Sequence, residues 1–171
     1  MRQRYVSYDL RIFFPHPEFP AHAWYDVLVS FQSDSCHVTF SEDGSGAACI
    51  KDCSLVADGS LVSVDVRAMS DIPTLCAPAG TRWLATVSTG MGRSGLAWWT
   101  AFAIPYHALV FFPGATVHDC QYHVGRSLAE SSWTSPEIWL QSCERRLWRT
   151  LGSKAQLIER GLFGADGTVR F

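Results

Sequence analysis

The chain predicts an α+β fold, with an N-terminal antiparallel β-sheet followed by a C-terminal helical half, in a single domain over residues 1–171. Three observations carry that expectation. Residues 1–89 alternate apolar with polar side chains between tight-turn dipeptides. Residues 90–171 hold the one long segment with helical spacing and a capped start. Hydrophobic residues form 47% of the chain and charged residues 18%, a balance that favours a packed core over disorder.

In the first half, residues 5–14 alternate as a strand does, and Pro15, Pro17 and Pro20 then forbid regular pairing. Residues 24–31 and 36–40 read as further strands. Asp43-Gly44 supplies a turn, residues 47–56 another strand, and Asp58-Gly59 a second turn. Residues 61–66 alternate cleanly, setting Leu61, Ser63 and Asp65 opposite Val62, Val64 and Val66, so one face is apolar and the other wet. Pro73 and the Ala77-Pro-Ala-Gly80 segment mark a connection, and residues 81–88 form one more strand.

Six cysteines could form disulfides, but the start MRQRYVSYDLRIFF has neither the apolar core nor the cleavage site of a secretory signal. Free, buried thiols in a reduced compartment are therefore expected. Cys49 and Cys53 form a C-x3-C, not the C-x2-C of a zinc knuckle, although Cys36 and His37 lie near in sequence. The formal net charge of -2 gives no overall nucleic-acid footprint. Arg145, Arg146 and Arg149 cluster on the late helix and read as a solvated face.

Gly90, Gly92 and Gly95 spell a G-x-G-x-x-G, but no βαβ alternation surrounds it and no acid follows at the ribose-binding distance. A turn is the better reading. Between Arg93 and Asp119 no residue carries a formal charge. Pro105, His107, Pro113 and Gly114 cut this stretch into pieces too short to span a bilayer. It reads as a buried helix followed by a buried strand, so membrane contact is not expected. Further on, Thr134-Ser-Pro-Glu137 has the form of a capping box, with Pro136 and Glu137 in the first turn. Leu140, Cys143, Leu147 and Leu151 then recur at helical spacing, and Gly152 can end the helix. A shorter helix over residues 154–162 and a tail from residue 164 complete the chain.

The chemistry gathers at residues 117–123, V-H-D-C-Q-Y-H. In a helix this places His118 over Tyr122 and Asp119 over His123. The imidazole can then act as a general base, the carboxylate can hold a cation, and the phenol can orient either. In the alternative reading Asp119 caps a helix while His118 and Tyr122 pack.

The order Pro78-Ala-Gly80, Ile104-Pro105, Val117-His118-Asp119-Cys-Gln-Tyr122 and a capped helix resembles a family of phage and prophage proteins. That family carries a P-A-G-F turn, a T-D-x-A-S-x-P segment and an H-D-x-L-Y helix start. The H-D-x-x-Y spacing is also similar to that of secreted phospholipases A2, where the His is the general base and the Asp binds calcium. The resemblance covers roughly residues 77–164. It makes His118, Asp119 and Tyr122 the equivalents of the motif's catalytic H, D and Y, with Glu137 as the stand-in for the later acid; read as a hydrolase, the stretch would hold a divalent metal, calcium or zinc, on Asp119 with His123 or Glu137 as a further ligand. The chain departs from the pattern at residues 88–94, which contain no Asp, and at Gln121. The phospholipase calcium loop and the double cysteine before the His are also absent.

Two functions follow as expectations. The first is a phage- or prophage-encoded virion component or accessory factor that works by binding a protein, in the bacterial host cytoplasm or the virion. The second is a metal-assisted hydrolase of an ester or phosphodiester with His118 as general base.

Overall fold

A computed structural model describes residues 7–41, 52–90, 94–122, 125–166 and 168–171, except 151–157. Seven strands form one antiparallel sheet. They are β1 (Ser7–Phe14), β2 (Cys36–Phe40), β3 (Asp52–Ala57), β4 (Ser60–Ala68), β5 (Trp83–Gly90), β6 (Thr116–Asp119) and β7 (Ser132–Trp133). Their spatial order is β2-β3-β4-β5-β1-β6-β7. Helices α1 (Ala21–Val29), α2 (Gly95–Phe111) and α3 (Pro136–Thr150) accompany it.

The α+β expectation holds, but the division into a β half and a helical half holds only in part. Strands β6 and β7 come from the second half and complete the same sheet, beside the N-terminal strand β1. Helix α1 falls in the first half, where residues 24–31 read as a strand. Trp24, Val27, Leu28 and Phe31 are buried while Tyr25 and Val29 are exposed, a spacing of three and four that only a helix turns to one side. The aromatic and β-branched content of the segment points to a strand, and the burial of one helical stripe overrides it.

Strand alternation divides the sheet into two faces. Leu10, Ile12 and Phe14 of β1 share the core with Val62, Val64 and Val66 of β4, Ala85 and Val87 of β5, and Val117 of β6. Asp9, Arg11, Ser63, Asp65, Thr86 and Ser88 point the other way and line an open polar cleft of about 390 Å³. The Asp58-Gly59 turn is confirmed: both residues have positive φ (47° and 75°), as a type I′ hairpin requires. The Asp43-Gly44 turn lies outside the described residues.

Helix α2 covers the sheet and packs against α1 and α3. Ser94 starts it, accepting a hydrogen bond from the Ala97 N–H (3.2 Å) and donating its own to the Ala57 carbonyl (3.0 Å). This gives one part of the G-x-G-x-x-G segment a capping role; residues 91–93 lie outside the described residues. Gly114 closes the passage into β6 with φ +82°, and a Cβ there would sit 2.9 Å from the Pro15 ring. Among the described residues no helix is long and apolar enough to cross a membrane.

Two further expectations are corrected. The cap of α3 is Ser135, one residue after the threonine of the anticipated box; it accepts from the Ile138 N–H and donates to Glu137 Oε2 (2.8 Å). The expected tail is packed: Phe163 and Val169 are buried and bridged to each other, and Phe171 meets the rings of Trp99 and Tyr106. Cys36, Cys53 and Cys143 are buried free thiols as expected, with burial pushing Cys53 up to about 12, whereas the free thiols Cys76 and Cys120 are exposed and half-buried, respectively. Cys49 lies outside the described residues.

His107 stacks on Phe111 and meets the edge of Phe31, with no charged group among these ring partners, and burial lowers its pKa. A histidine that is harder to protonate folded than unfolded binds more protons when unfolded. Its contribution is therefore intact above the unfolded value of about 6.5 and is lost as pH falls below it. The His107→Phe variant keeps the stacking and removes the titration. Thermal melts from acid to neutral pH should show a smaller loss of Tm on the acid side in the variant; parallel curves would contradict this.

Candidate functional site

The H-D stretch is a strand end and a turn. β6 pairs with β1 along Leu10–Asp119 and Arg11–His118, and a strand turns successive side chains to opposite faces. Asp119 therefore enters the helix-covered face and His118 the other. The anticipated helix, in which His118 stacks over Tyr122, does not form. Cys120 to Tyr122 make a turn instead, and His123 lies outside the described residues.

Asp119 is completely buried, and every one of its acceptor positions is filled. Oδ1 receives the backbone N–H groups of Gln121 (3.0 Å) and Tyr122 (2.9 Å). Oδ2 receives the Tyr8 hydroxyl (2.6 Å) and an ion pair from Arg146 Nη1. A carboxylate has about four such positions, so none is left for a cation or a water. The first bonds make an Asx-type turn that ends β6, which corrects the alternative expectation that Asp119 caps a helix, since no helix begins there. The second pair ties that turn to β1 and α3.

Arg146 is the partner that makes this carboxylate affordable in the core. Its side chain is only 17% exposed, and its Nη2 and Nε donate to the Ser142 hydroxyl (2.8 Å) and carbonyl (3.2 Å). The rings of Trp139, Phe102, Trp133 and Tyr122 surround the guanidinium with centroids 4.9–5.4 Å away. Such rings place negative quadrupole faces toward a cation and take the place of water around it. Burial lowers Arg146 to about 10 and raises the Tyr8 phenol to about 12. At neutral pH the first is a cation and the second a hydroxyl donor.

His118 is 3% exposed and lies beneath the turn Ala129–Ser131. Its Nδ1 is 3.2 Å from Ser131 Oγ and 3.3 Å from Ser132 Oγ. This has the outline of a serine–histidine pair, but each hydroxyl also has a backbone carbonyl to donate to. Ser131 donates to the Ser127 carbonyl (2.8 Å) and Ser132 to the Leu128 carbonyl (2.5 Å). With carbonyl acceptors in reach of both hydroxyls, the arrangement suits the tautomer in which Nδ1 donates to the serine oxygens.

The remaining residues of the anticipated set stand apart. Tyr122 packs on Trp133 and under Arg126, and touches Asp119 only through its backbone N–H. Glu137 is exposed, and the Ser135 hydroxyl holds its carboxyl below the usual range. It precedes Arg146 by nine residues, about 13 Å along the helix. Asp119 and Glu137 thus do not fit a shared cation, and no group of three metal-ligating side chains occurs among the described residues.

Sequence reasoning missed Tyr8 and misread Arg146, which was expected on a solvated face and is instead buried against Asp119. The arginine had a readable signal: Trp139, Cys143, Arg146 and Leu147 form one stripe at spacings of four and three, so Arg146 lies within the apolar face of α3. Arg145 is on the exposed side, as expected for a solvated face. Tyr8 had no local signal, because its partner is 111 residues away in the chain. No family model, curated protein or solved structure matches the chain.

The geometry distinguishes the two tyrosines. Replacing Tyr8 with Phe leaves a buried carboxylate short of a donor and should cost about 1.5–3 kcal/mol. Tyr122→Phe, whose hydroxyl makes no bond to Asp119, should cost clearly less. Urea unfolding at constant m-value measures both, and an equal or reversed order would contradict the assignment.

Proposed function

We propose that this protein is a non-catalytic binding protein, phage- or prophage-encoded, that acts as a virion component or accessory factor through contact with another protein. The observation that carries this reading is the state of the H-D pair. A hydrolytic dyad needs both groups to face one substrate with a free lone pair on each. Here Asp119 is saturated within the core and His118 faces the opposite side of the sheet. The motif is used to build the sheet–helix junction, which leaves the surface as the working part.

The test is to cross-link the tagged chain in its producing cell, identify the attached protein and rebuild the complex from purified components. A stable complex that survives chelator is expected. In parallel, chromogenic esters and phosphodiesters are offered to the wild type and to His118→Ala, with equal background rates expected. A chain with no reconstitutable partner would overturn the reading. So would metal-dependent turnover that falls about 100-fold or more in His118→Ala.

A further inference from the structure

Beside the buried Arg146, between the Tyr122 turn and the first turns of α3, lies a cleft of about 470 Å³. Its lining includes Tyr122, Arg126, Trp133, Ile138, Arg145 and Arg146. Its character changes from floor to rim. At the floor, Arg146 is spent on Asp119 and Ser142. At the rim, Arg126 and Arg145 are exposed, and neither is in an ion pair among the described residues. Arg126 lies over the Tyr122 ring at 3.9 Å and donates to the Tyr122 carbonyl (2.9 Å), which holds its guanidinium at the cleft edge. Glu130, also at the edge, is turned onto Ser127, whose backbone N–H it accepts at 2.7 Å. Ile138 adds an apolar contact that is 57% exposed.

We infer that this cleft receives an acidic segment of the protein partner, with carboxylates on Arg126 and Arg145 and an apolar side chain against Ile138. The inference rests on the binding reading above and names the chemistry of what is bound. Charge complementarity supplies the sign: Arg126, Arg145 and Arg146 line the cleft against one carboxylate, Glu130, which feels Arg126 but is hydrogen-bonded to Ser127, a local cationic excess in a chain of net charge -2 that suits an anion. The aromatic rings decide between an acidic peptide and a nucleotide. A base would need an open ring face to stack on. Tyr122 is covered by Arg126 and faces Arg146, while Trp133 is engaged by Tyr122, Trp139 and Arg146 at 5.1–5.4 Å. The rings are already used to hold arginines. What remains on offer is guanidinium N–H groups and an isoleucine, which is the recognition set for Asp, Glu and a neighbouring aliphatic residue.

The test uses the full chain and a short fluorescein-labelled peptide of Glu and Leu, read by anisotropy at low and moderate salt. The controls are the Lys-for-Glu peptide and adenosine monophosphate as competitor. The acidic peptide should bind, weaken with salt, and be lost by about tenfold or more in Arg126→Glu/Arg145→Glu. Arg67→Glu, on the opposite face of the sheet, should bind as the wild type does. If the double reversal disturbs the circular dichroism, Arg126→Gln/Arg145→Gln replaces it, with the same direction expected. Equal binding by wild type and double variant, no binding of the acidic peptide, or its displacement by adenosine monophosphate would overturn the inference. The reconstituted partner separates this from the wider reading. A partner that binds the double variant undiminished overturns the cleft assignment and leaves the binding function standing. Failure to find any partner overturns the function, while the peptide result still decides what the cleft prefers.

Discussion

The structure depends on one buried ion pair, Asp119 with Arg146. Withdrawing a carboxylate and a guanidinium from water costs several kcal/mol each, and mutual attraction alone does not reliably return it. Here the remaining valences are filled as well. Two backbone N–H groups and the Tyr8 hydroxyl complete the carboxylate, Ser142 takes two guanidinium donors, and four aromatic rings stand in for solvent. The pair therefore fixes three things together: the end of β6, the approach of α3, and the position of β1 between β5 and β6. Trp139, which donates to the Phe102 carbonyl (3.1 Å), fastens the same junction to α2.

Geometry of the strand explains why a cluster of proton-carrying residues is not a catalytic centre. With a period near 3.6 the H-D-x-x-Y spacing gathers its members on one side; with a period of two it sends neighbours apart. The β6 pairing with β1 imposes the second period on His118 and Asp119. The first lies under a serine turn on the polar side, and the second in the dry layer beneath the helices. Each is then satisfied separately: His118 by Ser131 and Ser132, and Asp119 by the adjacent turn on one oxygen and by the distant Tyr8 and Arg146 on the other.

Much of the fold was legible because its signals are local. The alternation of Val62, Val64 and Val66, the Asp58-Gly59 hairpin, the uncharged run that became α2 and β6, and the Pro136 start of α3 all rest on spacing within a few residues. The segment 24–31 misled because its bulky composition favours a strand, while burial of Trp24, Val27, Leu28 and Phe31 against α2 and the sheet selects a helix. The site was legible only in inventory. Asp119 was visible as a side chain that binds nearby backbone N–H groups, although at a strand end and not at a helix start, and its partners Tyr8 and Arg146 lie far off in the chain, where no periodicity reports a contact of that range. The arginine at a buried position of α3 was the one available sign, since a charge on an apolar stripe requires a buried counter-charge.

The central claim is that Asp119 and Arg146 act as one structural unit, and a double-mutant cycle measures it directly. Asp119→Ala, Arg146→Ala and the double variant are unfolded in urea beside the wild type. Each single change should cost about 3–5 kcal/mol, because it strands a buried charge, and the double should cost far less than their sum. The predicted coupling is on the order of 2 kcal/mol or more. Additive costs, with coupling near zero, would show that the pair does not hold the junction and would contradict the account.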